Sequence, residues 1–368
     1  MAGRIQLVRS VVQSMMMYII SIYSWPVSLI KDLEKWIRNF IWSGDMEKRK
    51  IVTVAWKKVC RPLSQGGLNL RSSKTLNAYT NLHLLWKLLH SQDDWAILLR
   101  DRVLRSRKPI NHHIYSSLWS SIKEEFSNLE ENSTWLLGNG EMINFWNDSW
   151  CGAPLSQALN IPEAISSHLS STVSDYIVNG EWSIPSELTQ MFPSLRHLVP
   201  QAIIPFVPKE DELIWKHSAN GLLDLKHAYV FKRNNIEEMK WTKLIWNKDI
   251  PPSKSLMIWR LMQEKIPTDE RLMEIGCQFA SMCSLCFKKS ESSLHLFFAC
   301  SYAQKLWSWI SATLNINMQF GTMEDIWKYC ERPWSPQCKI VITAALVNLI
   351  NTIWFARNES RFNDKVLH

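Results

Sequence analysis

Four potential metal ligands fall in one short window of this chain and constrain its local fold more than any other feature. Cys283, Cys286, His295 and Cys300 are spaced Cys-x2-Cys-x8-His-x4-Cys. Zinc takes sulfur and nitrogen ligands in a tetrahedron, and a Cys-x2-Cys turn can present two thiolates to one ion. The histidine and the last cysteine supply the second pair. Five residue steps put His295 and Cys300 about 140° apart on an ideal helix, so the helix must begin or distort between them. Three thiolates and a neutral imidazole leave a net negative charge around the ion, tempered by Lys288 and Lys289 in the connecting loop. Four protein ligands close the shell against water, so the expected cofactor is one structural Zn2+. The alternative is a set of ordinary reduced thiols near a histidine, which would fold identically in zinc and in chelator. Cys60, Cys151, Cys277, Cys330 and Cys338 lie outside the spacing and read as bystanders. Unpaired thiols point to a reducing compartment, nucleus or cytoplasm.

Elsewhere the pattern is helical. In residues 28–42, Leu33, Trp36, Ile37, Phe40 and Ile41 fall at i, i+3, i+4, i+7 and i+8, an apolar stripe. Further helices are expected over 3–24, which the Trp25-Pro26 step ends, and over 74–90, 253–264 and 301–314. Around Gly138-Asn139-Gly140 and Asn220-Gly221, short apolar runs predict β-hairpins near 134–147 and 211–229. A Ser/Pro/Leu-rich connector, 154–208, has little periodicity. Twenty tryptophans spread from Trp25 to Trp354 suggest many small contacts, each anchored by a large ring with a polar edge. The expected fold is therefore mostly α with short antiparallel β-hairpins.

Charge is uneven. Residues 1–110 hold 19 Lys+Arg against 7 Asp+Glu, whereas residues 111–368 hold 23 against 27. An anionic partner would be drawn to the N-terminal third, with Lys48, Arg49, Lys50, Lys57 and Lys58 as candidate phosphate contacts and Lys288 and Lys289 as further nucleic-acid-binding candidates. A solvated basic surface is the plain alternative. Two uncharged stretches, 10–30 and 340–356, approach membrane-span length but carry Ser, Gln, Pro, Asn and Thr, and read as buried helices. No Gly-x-Ser-x-Gly elbow, phosphate-cradling Gly-rich loop or His-Glu-x-x-His occurs. His112-His113 and Asp93-Asp94 read as loop residues, and no catalytic residue or small-molecule substrate is evident.

The order of segments resembles the C-terminal half of plant non-LTR (LINE-type) retrotransposon reverse transcriptases. AGRIQLVRSVV is similar to the helix that opens that family's thumb. WPVSLIKDLEKWIRNFIWSG, VAWKKVCRPLSQGGLNLRS, TWLLGNGEMINFWNDSW and DELIWKHSANGLLDLKHAY resemble its next blocks. WTKLIWNKDIPPSKSLMIWRLMQEKIPTDERL, CSLC…HLFFAC and QKLW are similar to the reverse transcriptase zinc-binding domain, and IWFARNESRF resembles the linker ahead of a ribonuclease H domain. The resemblance implies a thumb-like helical segment over 1–110, a Trp-rich connector over 111–235, a small zinc-stapled helical domain over 240–315 and a helical linker over 316–368. It also implies RNA or DNA as a sequence-nonspecific partner, and a ligand role for Cys283, Cys286, His295 and Cys300. The family's Tyr-x-Asp-Asp palm loop and ribonuclease H carboxylates are not matched. The expectation is thus a catalytically incomplete fragment, not itself an enzyme as given and an RNA-directed DNA polymerase only if the true product extends upstream; the alternatives are an orphan structural zinc scaffold or interaction protein, or the C-terminal part of a longer active polymerase. With no N-cap residue ahead of Ala2, the start codon is expected to lie inside an older reading frame.

Overall fold

The computed structural model describes residues 1–20, 25–50, 54–105, 107–110, 112–207, 209–233 and 237–363. Two compact units divide the chain: Met1–Met16, Val27–Ser72 and Asn235–His368 form one, Met17–Pro26 and Ser73–Asn234 the other.

The first unit is helical. Helix Val27–Ser43 buries Ile30, Ile37 and Ile41 along one stripe. Trp36, at the edge of that stripe, is 46% exposed. On the other side, the chain returns over Asn39, whose amide donates to the Met46 carbonyl at 2.8 Å. Of the uncharged stretch 10–30, residues 13–20 continue a helix with Gln13, Met16 and Ile20 buried. Residues 21–24 of the helix expected over 3–24 lie outside the described residues.

A tight turn in this unit ties together parts of the chain almost two hundred residues apart. Gly66 sits at φ +75°, and a Cβ on Gly67 would lie 2.0 Å from the Arg61 carbonyl oxygen, so side chains are excluded there. The freed Gly66 carbonyl accepts the Trp259 indole N–H at 2.8 Å and the Gln263 amide at 3.0 Å. Both donors lie at the C-terminal end of helix Pro252–Met262, which begins with proline at its first position, where the missing N–H costs nothing.

Stretch 340–356 falls within helix Pro336–Asn363, which is long and apolar enough to cross a membrane by length and composition. In this unit it packs against Pro252–Met262 and buries Ile342, Leu346, Val347, Leu349, Ile350 and Ile353.

The second unit pairs helix Ser73–His90 with Leu225–Lys232. Leu76, Tyr79, Leu82, Leu85 and Trp86 point inward. The fold is mostly helical with short antiparallel strand pairs, as expected, but the pairing differs at the two hairpins expected near 134–147 and 211–229. The Trp135 N–H to Ser149 carbonyl and Trp215 N–H to Gly221 carbonyl bonds, both 2.7 Å, hold the local turns, but the main ladder is not within either hairpin: Ser133–Leu136 pairs antiparallel with Glu212–Trp215, across the whole connector. The reason is a carboxylate. Buried Asp211 accepts the backbone N–H groups of Gly138 at 2.7 Å, Gly140 at 2.9 Å and Met142 at 2.9 Å. Those N–H groups would otherwise serve a local hairpin, and the charge-assisted bonds bring the second strand alongside the first. A Cβ on Gly138 would lie 2.4 Å from the Lys209 carbonyl oxygen, so the approach needs glycine.

The connector, aperiodic in sequence, folds around rings. Phe145, Trp146, Trp150, Val173, Leu195 and Val199 form its core. Three indole edges of this core find an acceptor: Trp150 the Phe145 carbonyl, Trp146 the Ser171 hydroxyl and Trp182 the Ala202 carbonyl. That is how a polar-edged ring can be buried at little cost.

Candidate metal centre

Two local structures present the four ligands. The first is a knuckle: the Cys283 N–H donates to the Lys289 carbonyl at 2.8 Å and the Phe287 N–H to the Cys283 carbonyl at 2.9 Å. These two bonds fold Cys283 and Cys286 toward one point. The second is the distortion that the His-x4-Cys spacing requires. Residues His295–Ala299 form a π-helical turn, in which the Cys300 N–H reaches back to the His295 carbonyl at 2.7 Å. Cys300 then takes extended backbone angles (φ −66°, ψ 134°) and caps helix Ser301–Leu314. One extra residue in the turn and one break bring the two side chains onto the same side.

The four ligand atoms all lie within 4.8 Å of one another. The Cys283 and Cys300 sulfurs are 3.8 Å apart, and the Cys286 sulfur is 3.2 Å from His295 Nε2. Two sulfurs at zinc–sulfur distances around a tetrahedron stand about 3.8 Å apart. The donor set, the spacing and the burial of Cys283, His295 and Cys300 all fit zinc.

Proton chemistry favours the metal-binding form at Cys300 and His295 but not at Cys283. Hydrogen bonding to Cys283 draws the Cys300 thiol down to about 7, while the same bond pushes the Cys283 thiol far up. Burial lowers His295, favouring the neutral imidazole that binds metal. Below the cluster, Leu296, Phe297 and Phe298 fill the core, and Trp307 donates its indole N–H to the Phe297 carbonyl at 2.8 Å.

Sequence reasoning missed the residues that brace the knuckle. Glu291, in the loop between the two ligand pairs, is 1% exposed. Arg357 on the C-terminal helix holds both its oxygens, Nε to Oε2 at 2.9 Å and Nη2 to Oε1 at 2.6 Å. Arg361 pairs with buried Asp269, whose second oxygen accepts the Ser281 hydroxyl at 3.0 Å. Ser360 donates to the Ser284 carbonyl at 2.8 Å, inside the knuckle itself. An Arg-x3-Arg pair late in an otherwise apolar helix was the available signal.

The other candidates sit apart from the metal ligands or beside them. Lys48, Arg49, Lys50, Lys57 and Lys58 are exposed, Lys48 facing Asp45 at 3.7 Å. Residues 51–53, between the two basic groups, lie outside the described residues. Lys288 and Lys289 are exposed on the knuckle. His83 and His90 each bond a backbone carbonyl in the second unit, Leu223 and Leu213 respectively.

Residues 224–307 match the family described as zinc-binding in reverse transcriptase, a span that includes all four ligands. The chain is also similar to an Arabidopsis thaliana protein named "Putative ribonuclease H protein", at 25% identity over 321 residues. That alignment covers 83% of this chain and 52% of the relative, so the chain spans about half the length of the curated relative it matches. These matches overturn the expectation that the chain is not an enzyme, since reverse transcriptases and ribonucleases H are enzymes. The zinc-binding match, the Cys3His cluster and the relative together support a retrotransposon-related protein whose residues 224–307 resemble a reverse transcriptase zinc-binding module.

Proposed function

We propose that this chain is the zinc-stapled, nucleic-acid-holding part of a LINE-type plant retrotransposon reverse transcriptase, working in RNA-directed DNA synthesis in the nucleus or cytoplasm. The observation that carries this reading is the Cys283/Cys286/His295/Cys300 tetrad at zinc spacing within the matched residues. Those four are its zinc ligands. Lys48, Arg49, Lys50, Lys57, Lys58, Lys288 and Lys289 contact phosphates, and the grip is on backbone charge with little base preference. Residues 1–110 act as the thumb-like segment, 111–235 as connector, 240–315 as the zinc module and 316–368 as linker. Helix Pro336–Asn363 serves as a core helix of the module, in keeping with its buried Arg357.

The test is fluorescence anisotropy of the full, zinc-loaded chain with labelled RNA and DNA across a salt series. Affinity should fall steeply with salt, by a log–log slope of roughly 0.7 per phosphate contact on single strands. Replacing Lys48, Arg49 and Lys50 by alanine should reduce that slope by about 2. An affinity flat across the series, or no binding at all, defeats the proposal.

A further inference from the structure

Phe287 breaks two local rules at once. It follows Cys286 directly and adopts φ +53°, a left-handed conformation that L side chains rarely take and that glycine or asparagine takes most easily. Its ring is also 66% exposed. Among the described residues no aromatic ring or cation stacks on it. A strained backbone is normally compensated by packing, and an exposed ring is normally free of strain. Here the two knuckle hydrogen bonds hold the backbone while no ring or cation covers the side chain among the described residues, and strained positions of this kind cluster at functional sites.

The surroundings say what function. The knuckle is locked by the Phe287 N–H to Cys283 carbonyl bond and the Cys283 N–H to Lys289 carbonyl bond. Lys288 and Lys289 follow at once, exposed, with no carboxylate within salt-bridge distance among the described residues. An exposed ring on a hydrogen-bonded turn, beside two lysines without a carboxylate partner among the described residues, complements a chain that alternates planar bases with phosphates. An apolar protein partner would not need the lysines, and an acidic one would not need the ring.

We propose that Phe287 is a base-stacking residue: an unpaired base of single-stranded RNA or DNA stacks on its ring while Lys288 and Lys289 hold the flanking phosphates. This rests on the nucleic-acid reading above and names the strand form and the contact. Single strands are specified because a base inside a duplex has no free face to offer.

The experiment uses the full zinc-loaded chain and a short single-stranded oligonucleotide containing 2-aminopurine, with the matching duplex as second probe. Phe287→Ala should weaken single-strand binding by about fivefold to a hundredfold, leave the salt slope unchanged and spare duplex binding. Phe287→Trp should retain binding and quench the 2-aminopurine. Phe287→Gly separates stacking from folding, because glycine relieves the left-handed backbone: its unfolding temperature should rise while its single-strand affinity falls as for alanine. Equal binding by wild type, Phe287→Ala and Phe287→Gly, in a protein whose Lys48/Arg49/Lys50 variant loses affinity, overturns the stacking role and leaves the wider proposal standing. Equal losses on single strand and duplex also overturn it. So does a Phe287→Ala change in the monomer–dimer equilibrium, which would mean that a second copy covers the ring. Failure of the wild type to bind any probe defeats both.

Discussion

The Arg357–Glu291 pair allows a quantitative test of how the zinc knuckle is supported. Arg357 is 2% exposed and Glu291 1%, and two short bonds join them in the bidentate geometry specific to guanidinium and carboxylate. Removing one member of a buried pair strands the other charge away from water, at about 3–5 kcal/mol. Arg357→Met keeps most of the side-chain volume, so the loss is electrostatic. In a unit of this size each kcal/mol moves the melting temperature by about 2–4 °C, giving a shift of roughly 6–20 °C. Arg361, 3.6 Å from Glu291 Oε1, can take over part of the charge and sets the lower end of that range. The double variant Arg357→Met/Glu291→Leu removes both charges and should recover most of the loss, because the desolvation cost goes with them. Calorimetry, which resolves the transitions of two units separately, is the assay. The reasoning fails if Arg357→Met shifts the melt by under a degree, or if the two single losses simply add in the double variant. Arg357→Lys is expected to rescue only partly, since an ammonium cannot bridge both oxygens.

Loading zinc should stabilise the first unit by about 4 kcal/mol at a thousandfold excess over its dissociation constant, and Cys283→Ser should abolish that gain without moving the melt of the second unit. Asp211→Ala should cost about 3 kcal/mol or more, because two buried backbone N–H groups and a half-buried one lose a charged acceptor at once; urea denaturation of the second unit checks this. Gly138→Ala, driven against the Lys209 carbonyl, should destabilise the same unit in the same assay. Burial raises the Asp148 carboxyl, opposed by the Asn144 N–H and by the Arg107 and Lys108 charges. A raised folded-state value means that the contribution to stability is present below the unfolded value near 4 and lost as pH rises through the folded one. Asp148→Asn, which keeps an acceptor for the Asn144 N–H, should therefore melt higher than wild type at neutral pH, with the gap closing in acid; equal gaps at both pH values would refute this.

Much of the zinc site was legible in the chain itself because metal chemistry is local. Four ligands at that spacing suit a tetrahedral ion, and the His295-x4-Cys300 step by itself requires a broken helix. Helix positions followed for the same reason: Ser301–Leu314 and Val27–Ser43 carry their own apolar periodicity. Long-range partners were not legible. Nothing local tells Ser133–Leu136 to pair with Glu212–Trp215, since the deciding group is a carboxylate about seventy residues away whose acceptors are filled by a glycine turn. Nor does the Gly66 turn announce Trp259, or Glu291 announce Arg357, because a hydrogen bond specifies a donor type and a distance, never a sequence separation. Phe287 lies between these cases. Its identity and its lysine neighbours were in the sequence, but its strained and outward placement exists only once the knuckle closes around Cys283 and Cys286.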